Sequence, residues 1–271
     1  MSNTLTTLVR TSACLVSLLA VGTAAAEAQA PASAPAPPVR LGALAPANLA
    51  KPRPKAPFDI TGTWQHDGRY STWHFIPEKF KLTPQAQVHY DAGQKAAKEG
   101  GAYRDDIGQC WPAGMPLIMT RVWPIAMIQL PTAIYMVSAF ENSLRIVYLD
   151  GRTHTPADEV VRTFNGESIG RWEGDTLVVE TKYFPGHHHW VDQAGAAIPA
   201  SEDLHIVERF RMVNDGTFEV AYTMTDPKSW EGEWTSVKRF NRKDDTDIPE
   251  VVCLPDLNDH LPATSSKLNV R

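Results

Sequence analysis

From Ile60 to Asn241 the chain is cut into short segments rich in β-branched and aromatic residues, separated by glycine, proline and Asp-Gly or Gly-Asp pairs. Segments of five to ten residues cannot bury an apolar face alone, so they must assemble edge to edge into sheet. Ten are recognised: Ile60–Gln65, Tyr70–Ile76, Pro124–Leu130, Ala133–Glu141, Leu144–Leu149, Ser168–Trp172, Thr176–Phe184, Leu204–Val213, Thr217–Thr225 and Trp234–Asn241. Several are joined by turns as tight as Glu173-Gly174-Asp175 and Asn214-Asp215-Gly216, where glycine accepts a positive φ without steric cost. Asp67-Gly68 reads as the turn of a first hairpin, between Ile60–Gln65 and Tyr70–Ile76. Mostly hairpin-linked strands predict a mainly β fold, an antiparallel meander closed into a barrel, with a two-sheet sandwich as the alternative. One helix is expected, over Pro84–Lys98, with Thr83 as N-cap, proline at the first position and Gly100-Gly101 as the stop. Its modest apolar content puts it on the surface.

The ends of the chain read differently. Residues 1–28 place a cation, Arg10, before the apolar run Ala13–Val21 and a small-residue exit at Ala26-Glu27-Ala28. That is the order of a secretory signal, with cleavage expected near Ala28 or Ala26, and the run is too short to span a bilayer. Residues 29–57 hold eight of the 21 prolines, interleaved with alanine, and are expected to form an extended tether. The barrel is assigned to 58–243 and a polar tail to 244–271. A periplasmic or secreted address follows, and it changes the cysteine arithmetic: Cys14 leaves with the signal, so Cys110 and Cys253 remain. In an oxidising compartment they pair, stapling the tail to the barrel, or else stand as two buried thiols. A net charge of −5 argues against a nucleic-acid partner.

Alternation marks the residues that carry chemistry. In Leu204–Met212 one face reads Leu204, Ile206, Glu208, Phe210, Met212 and the other His205, Val207, Arg209, Arg211. A carboxylate on an apolar face must be paired or protonated. Glu208 is therefore either a general acid or base, or one half of an ion pair with Arg145 or Arg171. A second candidate is the run His187-His188-His189 with Asp192 nearby, which could hold a divalent metal through His187 and His189, with His154 and His205 as further ligands. The eight tryptophans are core filler or the lining of an apolar pocket. Gly166-Glu167-Ser168-Ile169-Gly170 matches GxSxG, but no helix follows the serine, as a nucleophile elbow requires. Neither a P-loop nor GxGxxG nor CxxC occurs, so no nucleotide cofactor is expected.

Ser168–Thr181, SIGRWEGDTLVVET, resembles the core of a large family of secreted bacterial β-rich proteins with little functional characterisation. FDITGTW at 58–64, CWPAGMP at 110–116, YLDGRTH at 148–154 and SEDLHIVERFR at 201–211 extend the resemblance over most of 58–253. It implies export, one β domain and recurrent polar positions at His154, Asp192, His205, Glu208 and Arg209. Where family members often have HSE, this chain has Ala200 before Ser201-Glu202, so a site that used that histidine would be altered here, with the His187–His189 run as the expected substitute. Gly62-Thr63-Trp64 resembles the GxW that opens the first strand of lipocalins, which implies a lipocalin-like barrel.

The leading expectation is an exported barrel that binds a small apolar or aromatic compound and acts on it by acid/base chemistry of the lyase, isomerase or hydrolase type. Glu208 would be the acid or base, His205 or His154 its proton partner, Asp192 the orienting carboxylate and Arg209 the oxyanion stabiliser. The rivals are a non-catalytic carrier of such a compound and a metal-dependent enzyme. One conflict stands out: in a regular strand His205 and Arg209 face away from Glu208, so only a bulge could unite them.

Overall fold

A computed structural model describes residues 40–53, 56–101, 103–104, 106–192 and 197–254. The expected signal segment 1–28, tether residues 29–39, 54 and 55, and the last 17 residues of the tail, 255–271, lie outside the described residues.

Nine strands close into a barrel: β1 Gly62–His66, β2 Ile125–Gln129, β3 Ala133–Ser138, β4 Ser143–Tyr148, β5 Glu167–Glu173, β6 Thr176–Lys182, β9 His205–Asn214, β10 Thr217–Thr225 and β11 Trp234–Arg242. Between β6 and β9 the chain forms a separate two-stranded sheet of β7 Trp190–Asp192 and β8 Ile198–Pro199. The expected mainly β barrel is thus present, with one refinement. Directions can alternate all the way around a ring only if the strand number is even. Nine strands oblige one neighbouring pair to run parallel, and that pair is β4 and β5, through Val147↔Ser168 and Tyr148↔Ile169. The connection 149–166 carries the chain back to the same end of the barrel to achieve this.

Alternation sends Trp64, Phe210, Phe218 and Phe240 inward, where they are fully buried. Trp64 meets the Phe218 ring at 4.7 Å edge to face, and Phe218 stacks on Phe240 at 4.8 Å. Large rings in contact at these distances fill this part of the barrel with side chains. The Trp64 indole donates to the Ile60 carbonyl at 2.8 Å, closing the strand entrance.

Helix α2, Pro84–Lys98, has the expected bounds, and the Thr83 hydroxyl caps it by accepting from Ala86 N at 3.3 Å. Its small residues Ala86, Gly93 and Ala96 are buried. The described part of the proline-rich stretch is not extended throughout: α1, Pro46–Leu49, forms one turn there, with Ala43 and Asn48 buried. Cys110 and Cys253 are joined in a disulfide with Cα atoms 5.6 Å apart, and Asn142 Nδ2 donates to Pro249 O at 2.8 Å. The tail is thereby attached up to Cys253.

The expected first hairpin is corrected. Tyr70–Ile76 forms no strand, and β1 pairs instead with β2 and β11. After the Asp67-Gly68 turn, where Tyr70 N donates to Asp67 O at 3.0 Å, the segment crosses the end of the barrel. Its carbonyls are taken by a side chain: Lys238 Nζ donates to Thr72 O at 2.5 Å and to His74 O at 2.6 Å. A buried ammonium with three donors satisfies these carbonyls where a strand ladder would have done so. Phe75 then turns inward against Tyr222, ring centroids 5.0 Å apart.

Candidate functional site

Glu208 faces an arginine. It is 0% exposed and Arg145 is 1% exposed, and the guanidinium grips both carboxylate oxygens, Nη1 to Oε1 at 3.0 Å and Nη2 to Oε2. Arg145 Nε donates to Ser168 Oγ and Nη2 to Thr181 Oγ1, each at 3.0 Å, while the two hydroxyls bond each other at 2.9 Å. The serine of the GxSxG match is therefore a strut of this network. Tyr222 lies beside it, its hydroxyl buried without a partner among the described residues, and burial followed by the Glu208 charge pushes its pKa well up. Inward positions of β4, β5, β6 and β9 supply the whole arrangement, which is an ion pair held in a low-dielectric interior.

The other four expected site residues do not join it. The β9–β10 register runs without a shift from His205 to Phe210, so no bulge re-aims His205 or Arg209, and both stay on the outer face. His205 Nε2 meets Glu180 Oε1 at 2.8 Å, and His154 stands on the other side of the same carboxylate, with Nε2 3.6 Å from Oε2. His154 Nδ1 donates to Glu167 Oε2 at 2.8 Å. These two histidines do converge, but across the barrel wall from Glu208.

The metal expectation is corrected by geometry. His189 is buried, wedged between the rings of Phe164 and Phe184, and its Nε2 donates to Met115 O at 2.7 Å. Burial drops its pKa to about 4, so it is neutral near pH 7. His187 is exposed against Trp111, and His188 stacks on the Trp111 ring at 3.9 Å. Among the described residues no group of three His, Cys, Asp or Glu is placed to hold a metal ion.

Asp192 finds a partner that sequence reasoning passed over. β7 carries it, almost fully buried, to the end of the barrel, where Oδ2 accepts from Nδ1 of His74, a ring 42% exposed. His74 sits in the segment tied across that end by Lys238, 118 residues away from Asp192 in sequence. The hydrogen bond to Asp192 raises the His74 pKa, and desolvation with the nearby charges of Arg121 and Lys238 works against it. Because a carboxylate only accepts, Nδ1 carries a proton and Nε2 bears the lone pair of the neutral ring. A buried carboxylate orienting a half-exposed imidazole is suited to taking and returning protons near neutral pH. Lys238, 1% exposed, is lowered to about 8 by burial. No signal within Tyr70–Ile76 marks His74, because its alternation resembles that of a strand.

No protein-family model and no curated protein matches the chain. Among solved structures, a mutant of the fluorescent protein UnaG is similar at 14% identity, covering 68% of this chain and 96% of that one, with a TM-score of 0.30. No helix among the described residues is long and apolar enough to cross a membrane. A cleft of about 910 Å³ lies against the outward residues of β4, Leu144, Ile146 and Tyr148, and includes none of the His74 group.

Proposed function

We propose that this is an exported barrel protein acting by acid/base chemistry on a small apolar or aromatic compound, with His74 as the proton-transfer group and Asp192 as its orienting carboxylate. The observation that carries this reading is the bond between a nearly buried Asp192 and a half-exposed His74, the arrangement that holds one imidazole tautomer ready for a substrate. Export is supported by the signal-like residues 1–28 and by a disulfide spanning most of the domain. Glu208, engaged on both oxygens by Arg145, has no role in this chemistry. Trp73, next to His74 and 46% exposed, supplies an apolar surface at the same place.

The test is hydrolysis of p-nitrophenyl butyrate by the mature chain and by His74→Ala and Asp192→Asn. The wild type should exceed both variants by at least about tenfold, with a rate that rises as His74 loses its proton. Equal rates in all three would sink the reading. The rival is a non-catalytic carrier, favoured by the 910 Å³ cleft, and it predicts saturable ligand binding with no His74-dependent turnover.

A further inference from the structure

Arg121 stands beside the His74 and Asp192 pair and has no hydrogen-bonding partner for its side chain among the described residues. Its Nε is buried and unbonded, and no described carboxylate comes within 4 Å of the guanidinium, although Asp192 and Glu141 are near enough to act on it through space. Asp192 is committed to His74, and Glu141 Oε2 accepts from Ala113 N at 2.8 Å. The guanidinium lies 5.7 Å over the Phe140 ring, which positions it but leaves its fork of N–H groups open. The Thr120 hydroxyl donates to Trp73 O at 3.0 Å, pinning the residue before Arg121 to the residue before His74. A half-buried arginine that is desolvated and unbonded is costly, and such a group is stabilised when an oxyanion takes its N–H donors. Asp192 Oδ1 is likewise buried without a partner among the described residues. Around it, Trp73 and Val122 are 46% and 61% exposed, an apolar rim next to the cation.

We infer that Arg121 is the anion-binding residue of this site, which takes a small aromatic or apolar compound bearing an oxyanion, a carboxylate or a phosphate, gripped by the guanidinium beside His74. Lys238 adds a second positive charge to the same end of the barrel and offsets the Asp192 carboxylate there. This inference rests on the acid/base reading of His74 for its consequence in turnover, but the binding step stands on Arg121 alone.

Calorimetric titration of the mature chain with benzoate, inorganic phosphate and neutral benzamide tests it. Benzoate or phosphate should bind saturably, benzamide at least tenfold more weakly, and Arg121→Gln should weaken the oxyanion at least tenfold. The tighter of benzoate and phosphate identifies the source of the oxyanion. Absence of saturable binding of either anion, benzamide equal to benzoate, or Arg121→Gln equal to wild type overturns the inference. If Arg121→Gln does not fold, phenylglyoxal labelling of the wild-type chain decides, and an Arg121 that benzoate fails to protect overturns it. Arg121-dependent binding with no His74-dependent hydrolysis would sink the acid/base reading alone. The reverse pattern would sink only the role of Arg121.

Discussion

Replacing Glu208 by alanine removes two charge-assisted hydrogen bonds from Arg145, each of which contributes about 1.5–3 kcal/mol. The guanidinium keeps only the Ser168 and Thr181 hydroxyls, neither of which carries charge, and it has no route to water at 1% exposure. Breaking a buried pair from one side costs about 3–5 kcal/mol, in line with the sum of the two bonds and a third or more of the stability of many domains. Glu208→Gln should cost nearly as much, since its amide must turn an NH2 toward the Arg145 donors. Urea unfolding of the oxidised chain reads the loss as a fall in midpoint with an unchanged slope. The double variant Arg145→Met with Glu208→Leu should recover most of it, because a desolvated pair is replaced by apolar contact. The loss should also be nearly independent of salt, since a buried pair is weakly screened. A cost under about 1 kcal/mol for Glu208→Ala, or a double variant worse than either single one, would refute the claim that this carboxylate is structural.

Three further outcomes follow from the same structure. His189, at about 4 when folded and 6.5 when unfolded, should make stability fall by about 3 kcal/mol as pH drops from 6.5 to 4, because only the unfolded chain takes up its proton in that window. The difference between urea midpoints of wild type and His189→Gln across that range isolates it, and a pH-independent difference would contradict it. Replacing Cys110 and Cys253 together by serine opens a loop of sequence separation 143 and should cost about 5 kcal/mol, measured by the same unfolding assay. Gly114→Ala should lose about 2 kcal/mol or more, since φ is +63° and the added carbon would lie 2.2 Å from Phe164 O, the acceptor of the Met115 N–H bond.

Much of the barrel was legible in line because its determinants are local. Alternation, tight Asp-Gly turns and the Thr83-Pro84 start of α2 act within a few residues, so nine of the ten expected strands and the helix appear close to where their residues put them. The tenth, Tyr70–Ile76, failed for a non-local reason: its carbonyls are claimed by Lys238, more than 160 residues on, before any strand could claim them. The faces of β9 were also legible, including the opposition of Glu208 to His205 and Arg209. Which of two fates awaited Glu208 was not, because alternation says that a carboxylate points inward and says nothing of what points back. Arg145 comes from a strand 63 residues away, and only closure of the barrel brings it across. Asp192 shows the same limit from the other side. Its place among the candidate residues could be read from the chain, whereas its partner His74 and neighbour Arg121 became neighbours only when β7 and the crossing segment met over one end of the barrel. Hydrogen bonding and charge act through space at a few ångströms, and sequence distance carries no trace of that.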